Sequence, residues 1–186
     1  SQQAFLSKWY SIEGLDIDLH MLQVARKRHP DITFHKGDMV KFDLKKQYDA
    51  VTCLFSAIGY AMTVPKLQSA IKSLERHTKP GGVVVVEPWF SPEQWEEGRS
   101  SAVFVDKPEM KLARINISKR RDNISIVNFH FLVGTQGNVE HFTELHEIGL
   151  FTKEEYLEAF EKAGLETTFD PQGITGRGLY VGVKPS

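Results

Sequence analysis

Two aspartates sit where a nucleoside could be read. Asp16 closes a short apolar stretch, Ser11 to Ile17, and Asp38, within Gly37-Asp38-Met39, follows a second stretch, Ile32 to His35. If both stretches are strands of one open α/β sheet, both carboxylates stand at its carboxyl rim, where nucleotide-like ligands bind. The first acid can accept both hydroxyls of a ribose, and the second can accept an exocyclic amine. Together they suggest an adenosine clamp. Each has a duller use as well, because aspartate after a strand is a common helix N-cap, and Asp18 or Asp38 could be only that.

The elements that must position these acids are legible from spacing. Apolar residues recur at helical intervals from Gln2 to Trp9 and again from Leu19 to His29, the latter with Met21, Leu22 and Ala25 inward. Tyr48 to Phe55 and Gly82 to Pro88 read as further strands, with a helix from Val64 to His77 between them. The run Val83-Val84-Val85-Val86 is continuously β-branched, as expected of a parallel strand covered on both faces. Lys79-Pro80-Gly81-Gly82 reads as the breaker that ends the preceding helix. After Phe90 the pattern changes: Val103 to Val105, Lys111 to Lys119, Ile124 to Val133 and Val139 to Leu150 alternate apolar and polar residues, as antiparallel hairpins do. A helix from Lys153 to Ala163, capped by Thr152 and stopped by Gly164, precedes two strands, Leu165 to Phe169 and Leu179 to Val183. The fold class is α/β with an antiparallel β insertion. The division expected is 1–90, 91–150 for the insertion, and 151–186 for a closing helix and strand pair that complete the sheet.

Composition narrows the partners. A chain of 186 residues with net charge −1 reads as one globular domain without bulk attraction to nucleic acid or an anionic membrane. The single cysteine, Cys53, allows no disulfide framework, so a reducing cytoplasm is expected. No apolar run approaches the roughly 20 residues of a membrane span. No metal-ligand spacing stands out, and no catalytic metal is expected.

Gly14-Leu15-Asp16 with Met21 following, Gly37-Asp38-Met39, Tyr48-Asp49-Ala50-Val51, Lys79-Pro80-Gly81-Gly82 and the closing helix-strand-strand together resemble the class I S-adenosylmethionine-dependent methyltransferases. More narrowly, Phe55-Ser56 with Ile58-Gly59-Tyr60, Glu87-Pro88-Trp89-Phe90 and Gly176-Arg177-Gly178-Leu179 look like the sugar-amine N,N-dimethyltransferases of antibiotic biosynthesis, which act on nucleotide-linked amino sugars. The resemblance implies a Rossmann-like methyltransferase sheet with an antiparallel terminal strand, and S-adenosyl-L-methionine as cofactor. It places Asp16 on the ribose with Ile17 beside it, Met21 against the adenine, and Gly37, Asp38 and Met39 at the adenine edge. Leu54, Phe55 and Ser56 would line the methionine end. Met21 also fits a core position.

One feature departs from the family. Its first strand and the glycine-rich loop that follows it are absent from these residues, and that strand normally lies between Ser11–Ile17 and Tyr48–Phe55. Without it two interior edges go unpaired, at about 1–3 kcal/mol for each buried backbone group freed. An N-terminal segment is therefore expected to be missing through truncation, disorder or cleavage.

Methyl transfer from a sulfonium is an in-line displacement in which alignment does most of the work, with effective molarities of about 10⁵–10⁸ M for well-oriented partners. The acceptor would be a small molecule, an amine that must lose its proton or bind without it. Of seven histidines, His130, His141 and His146 lie in the insertion, near the expected substrate side. His130 is the candidate base, though it shares a strand face with Ile124, Ile126 and Leu132; His141 and His146 fall on opposite faces by the period of two. The histidines at 20, 29, 35 and 77 flank helices or strands and are expected to be solvated. Glu87 could reach the acceptor amine or orient Trp89, and Trp89 could wall the sugar or base or belong to the core. Tyr60 is a further substrate candidate. Arg177, in a glycine-flanked turn, suits a phosphate, with a salt bridge across the turn as the alternative. The insertion leaves an apolar face to cover, for which a homodimer is one answer. Two rivals remain: an NAD-dependent oxidoreductase, since an acid after the second strand also fits a dinucleotide, and a non-catalytic scaffold that has lost its cofactor.

Overall fold

The structure is a computed structural model that describes residues 9–186. The helix expected from Gln2 to Trp9 lies outside the described residues, Trp9 excepted. Strand β1 (Glu13–Asp16) pairs in parallel with β2 (Thr33–Lys36), and α1 (Leu19–Arg28) connects them. Asp18 is the N-cap of α1, its carboxylate accepting the N–H groups of His20 at 2.7 Å and Met21 at 3.0 Å, which hold it below the usual carboxylate range. Arg26, Lys27 and Arg28 meet the negative end of the helix dipole. Leu22 is buried against Ile32 and Phe34 with Ala25 beside it, but Met21, expected inward, is 55% exposed. The reason is geometric: a 10-residue helix against two short strands buries a narrow stripe, and Met21 lies 100° round from its centre.

The second sheet has the order β3-β4-β10-β9. Strands β3 (Tyr48–Cys53) and β4 (Thr78–Val86) are parallel, whereas β10 (Leu179–Val183) runs antiparallel to β4 and to β9 (Glu166–Asp170). Helices α2 (Val64–Arg76) and α3 (Lys153–Lys162) pack on one another and bury Leu67, Ile71, Tyr156 and Phe160 over Val84, Val86 and Tyr180. Thr152 and Glu155 form a reciprocal capping box on α3, and Gly164, at φ +80°, ends it. Val84 and Val86 are buried but Val83 and Val85 are only half-buried, so β4 is fully covered on the face beneath these helices alone.

Residues 79–82 correct the sequence reading. They do not merely end a helix: β4 already begins at Thr78, and its register with β3 jumps from Tyr48↔Thr78 to Ala50↔Val83. The Lys-Pro-Gly-Gly segment bulges out of the pairing, and a Cβ on Gly82 would lie 2.8 Å from the Asp49 carbonyl. His77 is a second correction, because it is buried rather than solvated. Its Nδ1 donates to the Ser73 carbonyl at 2.7 Å, its Nε2 accepts the Leu44 N–H at 2.9 Å, and Phe42 stacks on the ring. Replacing His77 by leucine strands the Leu44 N–H, and urea unfolding is expected to show a loss of about 2–3 kcal/mol.

Four antiparallel strands follow in sequential order: β5 (Ser100–Lys107), β6 (Met110–Arg121), β7 (Ile124–Thr135) and β8 (Asn138–Gly149). These are the hairpins read from the alternation, and only β5 and β6 were substantially under-extended by it.

Among the described residues β1 and β3 do not pair with one another, so the parallel sheet is divided at the place where the sequence implied two free edges. The Glu13 carboxylate bridges the two sides, meeting Lys46, His35 at 2.7 Å and the Tyr48 hydroxyl at 2.8 Å. The Lys46 and His35 contacts hold Glu13 down at about 2, and burial, with the Glu13 charge, pushes Tyr48 up to about 12. A depressed carboxylate stabilises the fold fully above its unfolded value near 4.5 and loses that contribution as pH falls toward 2. Glu13→Gln should therefore cost on the order of 1–2 kcal/mol at pH 7, below the full linkage value because Lys46 is half exposed, and progressively less from pH 4.5 downward. Urea midpoints of both proteins across that range check the sign.

Candidate active site

Asp16 is the last residue of β1, paired with Lys36, and the Gly37 N–H donates to the Asp16 carbonyl at 2.9 Å. The strand pairing thus runs on by one bond, and Asp16 and Asp38 both lie at the carboxyl ends of the paired strands. Each uses one carboxylate oxygen locally: Asp16 accepts the Asp18 N–H at 2.8 Å, and Asp38 accepts the Val40 N–H at 3.0 Å. Ile17 and Met21, which follow Asp16 closely in the sequence, are exposed, and so is Leu19 on another side of α1. Gly37 is a packing requirement, since a Cβ there would lie 2.7 Å from Leu15 Cδ1. Met39 packs on the core, half-buried, rather than standing out at the rim.

At the end of β3 the chain turns through two consecutive left-handed residues, Phe55 (φ +53°) and Ser56 (φ +61°). Such backbone is costly for non-glycine residues and persists where surroundings enforce it. Here Glu87 enforces it from the end of β4: one oxygen accepts the Phe55 N–H at 2.7 Å, and the Ser56 hydroxyl donates to the Pro88 carbonyl at 2.7 Å. The other Glu87 oxygen accepts the Thr175 hydroxyl at 2.5 Å and lies 3.5 Å from Arg177. The outcome is that Leu54 is half-buried, Ser56 is buried and the Phe55 ring is thrown into solvent at the rim.

Glu87 is wholly buried with both oxygens engaged, so it braces the turn instead of standing open to an acceptor amine. Arg177 has the ion pair named as its alternative. Its side chain is 18% exposed, its guanidinium lies over Trp89 and Phe90 at 5.3 and 5.6 Å, and its Nε is buried with no partner. The Trp89 indole N–H donates to the Ser125 hydroxyl at 2.9 Å, which in turn donates to the Ile148 carbonyl, tying β4 to β7 and β8. Trp89 and Arg177 also wall a cavity of about 220 Å³ with Phe151, Lys153, Tyr156 and Phe169.

The turn Ala57–Ala61 presses against β8, where a Cβ on Gly59 would strike Ile148 at 2.3 Å. Tyr60 thereby meets the sheet, its hydroxyl 2.5 Å from His146 Nδ1. The same sheet face carries Glu144, whose carboxylate is 3.5 Å from His146 Nε2, Phe129 with its ring edge-on to His146, and Arg114 over the Phe129 ring at 4.8 Å. The Arg114 Nε is buried without a partner. Burial first, then the Glu144 charge, raises the Tyr60 phenol above its ordinary value.

His130 is not brought to this place. Cross-strand pairing sets it and His141 on the opposite face of the sheet, where their rings stack 5.6 Å apart and Nδ1 of His130 is 3.4 Å from Nε2 of His141. The period of two that separates His141 from His146 excludes His130 as well. Glu144, Phe129 and Arg114 went unnoticed in the sequence, although Glu144 shares parity with His146 and an inward arginine on an apolar face is a signal. Among the described residues no three His, Cys, Asp or Glu side chains cluster as metal ligands, and no helix is long and apolar enough to cross a membrane.

A family model described as a methyltransferase domain matches residues 2–82. The dTDP-3-amino-3,4,6-trideoxy-alpha-D-glucopyranose N,N-dimethyltransferase of Streptomyces venezuelae is 42% identical over 180 residues, 96% of this chain and 76% of the relative. The dTDP-3-amino-3,6-dideoxy-alpha-D-glucopyranose N,N-dimethyltransferase of Streptomyces fradiae is 40% identical, over 93% of this chain and 68% of its own. Among solved structures, Streptomyces venezuelae DesVI superposes with a TM-score of 0.94 at 41% identity, covering all of this chain and 78% of that one. CalS10 with S-adenosylmethionine bound, an amino pentose methyltransferase from Micromonospora echinaspora involved in calicheamicin biosynthesis, gives a TM-score of 0.89 at 36% identity, over 98% of this chain and 78% of that one.

Proposed function

The chain belongs to the methyltransferase family, among the sugar N,N-dimethyltransferases, and from that premise we propose that it uses S-adenosyl-L-methionine to N-methylate the amine of a nucleotide-linked amino sugar. The observation that supports the reading is that Asp16 and Asp38 both stand at the carboxyl ends of two paired parallel strands, joined there by the Gly37 N–H to Asp16 carbonyl bond, with the exposed Ile17 and Met21 to serve as an apolar shelf. Those residues fit the nucleoside half of the cofactor: Asp16 on the ribose hydroxyls, Asp38 on the adenine amine, the shelf on the ring. Gly37 shapes the edge, with Met39 packed on the core behind it. Leu54, Phe55 and Ser56 would face the methionine end. The cofactor supplies an electrophilic methyl on a sulfonium. The chain's task is to hold a neutral amine in line with it and exclude water. A dinucleotide oxidoreductase is set aside by the family.

Tyr60, Trp89, His146 and Arg177 are the proposed acceptor residues, with Arg114 and Phe129 added by the structure. Arg177 has donors beyond its contact with Glu87, which supports a grip on diphosphate. Arg177→Ala is expected to raise KM for the sugar nucleotide about 10-fold or more, against little change for a phosphate-free amine. Two experiments test the whole reading. Calorimetric titration should show saturable binding of S-adenosylhomocysteine and none of NAD, and labelled cofactor should pass two methyl groups in succession to dTDP-3-amino-3,6-dideoxy-α-D-glucopyranose. Binding of NAD alone, or of neither, would remove it.

The outer face of the antiparallel sheet displays Phe104, Ile115, Ile117, Leu132, Val139 and Leu145, all exposed. A flat apolar patch of this extent suits a second copy related by a two-fold axis, with His130 and His141 inside the contact rather than at the acceptor. Leu145→Glu should convert a dimer to a monomer in light scattering. Cys53 is buried, with its thiol pushed up to about 12 by burial, and is inert in a reducing cytoplasm.

A further inference from the structure

An amine is a nucleophile only without its extra proton, and each methyl transfer to nitrogen leaves a new ammonium. A dimethylation therefore needs the nitrogen deprotonated twice. Resting on the amino-sugar reading above, we propose that Tyr60, His146 and Glu144 are a proton relay that strips the acceptor nitrogen before each transfer, with Tyr60 touching the substrate and the other two positioning it.

The Glu144 carboxylate, 3.5 Å from His146 Nε2, favours the tautomer that carries the ring proton there, and the relay uses that tautomer. Nδ1 is then bare and accepts the Tyr60 O–H across 2.5 Å. That leaves the phenol oxygen with a lone pair turned away from His146, on a side chain that is 48% exposed and rises from the turn after β3 at the carboxyl end of the parallel strands. The ring of Phe129 packs edge-on against the imidazole and holds its plane.

The step balances within the chain. A proton passes from the ammonium to the Tyr60 oxygen as the Tyr60 proton passes to His146 Nδ1. The imidazolium so formed is stabilised by Glu144 and releases its proton to water past a carboxylate that is half exposed. The neutral amine then forms its bond to the methyl carbon as the carbon–sulfur bond breaks. Burial and the Glu144 charge keep the phenol protonated at rest, so Tyr60 conducts a proton rather than storing a charge. The charged and titratable groups facing His146 are Glu144 on its own strand, Tyr60 from the turn, and Arg114 beyond the Phe129 ring.

The test is the pH dependence of kcat and kcat/KM, from pH 6 to 10, in full-length wild-type protein and in Y60F, H146Q and E144Q. The acceptor is dTDP-3-amino-3,6-dideoxy-α-D-glucopyranose, and S-adenosylhomocysteine affinity reports folding. Y60F and H146Q are expected to lose about 100-fold in kcat at pH 7, and the deficit should shrink to about 3-fold near pH 10, where the amine deprotonates unaided. E144Q is expected to lose about 3- to 10-fold in kcat at pH 7, because the imidazolium formed in the relay has lost its counter-ion. Wild-type kcat in Y60F at pH 7, or a deficit of the same size at every pH, overturns the relay and leaves the amino-sugar reading intact. Wild-type protein that binds S-adenosylhomocysteine but never methylates this amine overturns both.

Discussion

Asp16→Ala is expected to weaken S-adenosylhomocysteine binding by about 30- to 150-fold, some 2–3 kcal/mol, while the urea midpoint hardly moves. The size follows from losing charge-assisted hydrogen bonds to ribose hydroxyls, worth about 1.5–3 kcal/mol. The small effect on stability follows from what the side chain does in the protein alone: its one hydrogen bond is to the exposed Asp18 N–H two residues on. Asp18 gives the opposite pattern and so serves as the control. Its carboxylate holds two N–H groups at the start of α1, and Asp18→Ala should lower the urea midpoint with little loss of affinity. Calorimetric titration and urea unfolding of the two variants separate a ligand-binding acid from a capping one. Equal affinity loss in both would mean that the rim is merely being loosened, and the adenosine clamp would have no support.

What the sequence disclosed and what it hid divide by range. Local chemistry was plain: Thr152 with Glu155, Gly164 after α3, and the alternation in β6 to β8 each specify a conformation through neighbours a few residues away. Parity was plain too, since it put His141 and His146 on opposite faces before any coordinates. What failed needed partners from far along the chain. His77 looked like a solvated helix end, but its acceptor nitrogen answers a Leu44 N–H 33 residues away. The Pro-Gly pair at 80–81 reads as a stop, yet the strand starts before it, because β3 pairs with β4 on either side of the bulge, Tyr48 with Thr78 and then Ala50 with Val83. His130 was weighed by its residue type and its place in the insertion, and no count along one strand says which face of the sheet meets the rest of the protein. That is decided by Gly59 and Trp89 packing against β7 and β8. Glu144 was passed over for the same reason, since its worth comes from Tyr60, 84 positions earlier in the sequence.

Glu87→Ala should be the most damaging single change, because three residues from two distant segments, Phe55 after β3 and Thr175 with Arg177 in the loop before β10, meet on that carboxylate. Removing it strands the Phe55 N–H and the Thr175 hydroxyl, and it leaves the Arg177 guanidinium, itself largely buried, without its counter-ion. Breaking a buried ion pair from one side costs about 3–5 kcal/mol, a large part of the roughly 5–15 kcal/mol that holds a typical domain together. The left-handed residues Phe55 and Ser56 would also lose the contact that fixes them, so the turn proposed to face the methionine end of the cofactor should loosen along with the fold. Glu87→Gln keeps an acceptor for the Phe55 N–H and should lose less, about 1–3 kcal/mol. The double variant with Arg177→Met no longer buries a lone cation, and it should be more stable than the sum of the single losses by about 1–3 kcal/mol. Urea unfolding of the four proteins closes the cycle. A catalytic acid or base at this position would give another pattern, a stable protein that binds cofactor and turns over slowly. An alanine variant within about 0.5 kcal/mol of wild type would therefore return Glu87 to the chemistry and take away its place as the brace of the turn.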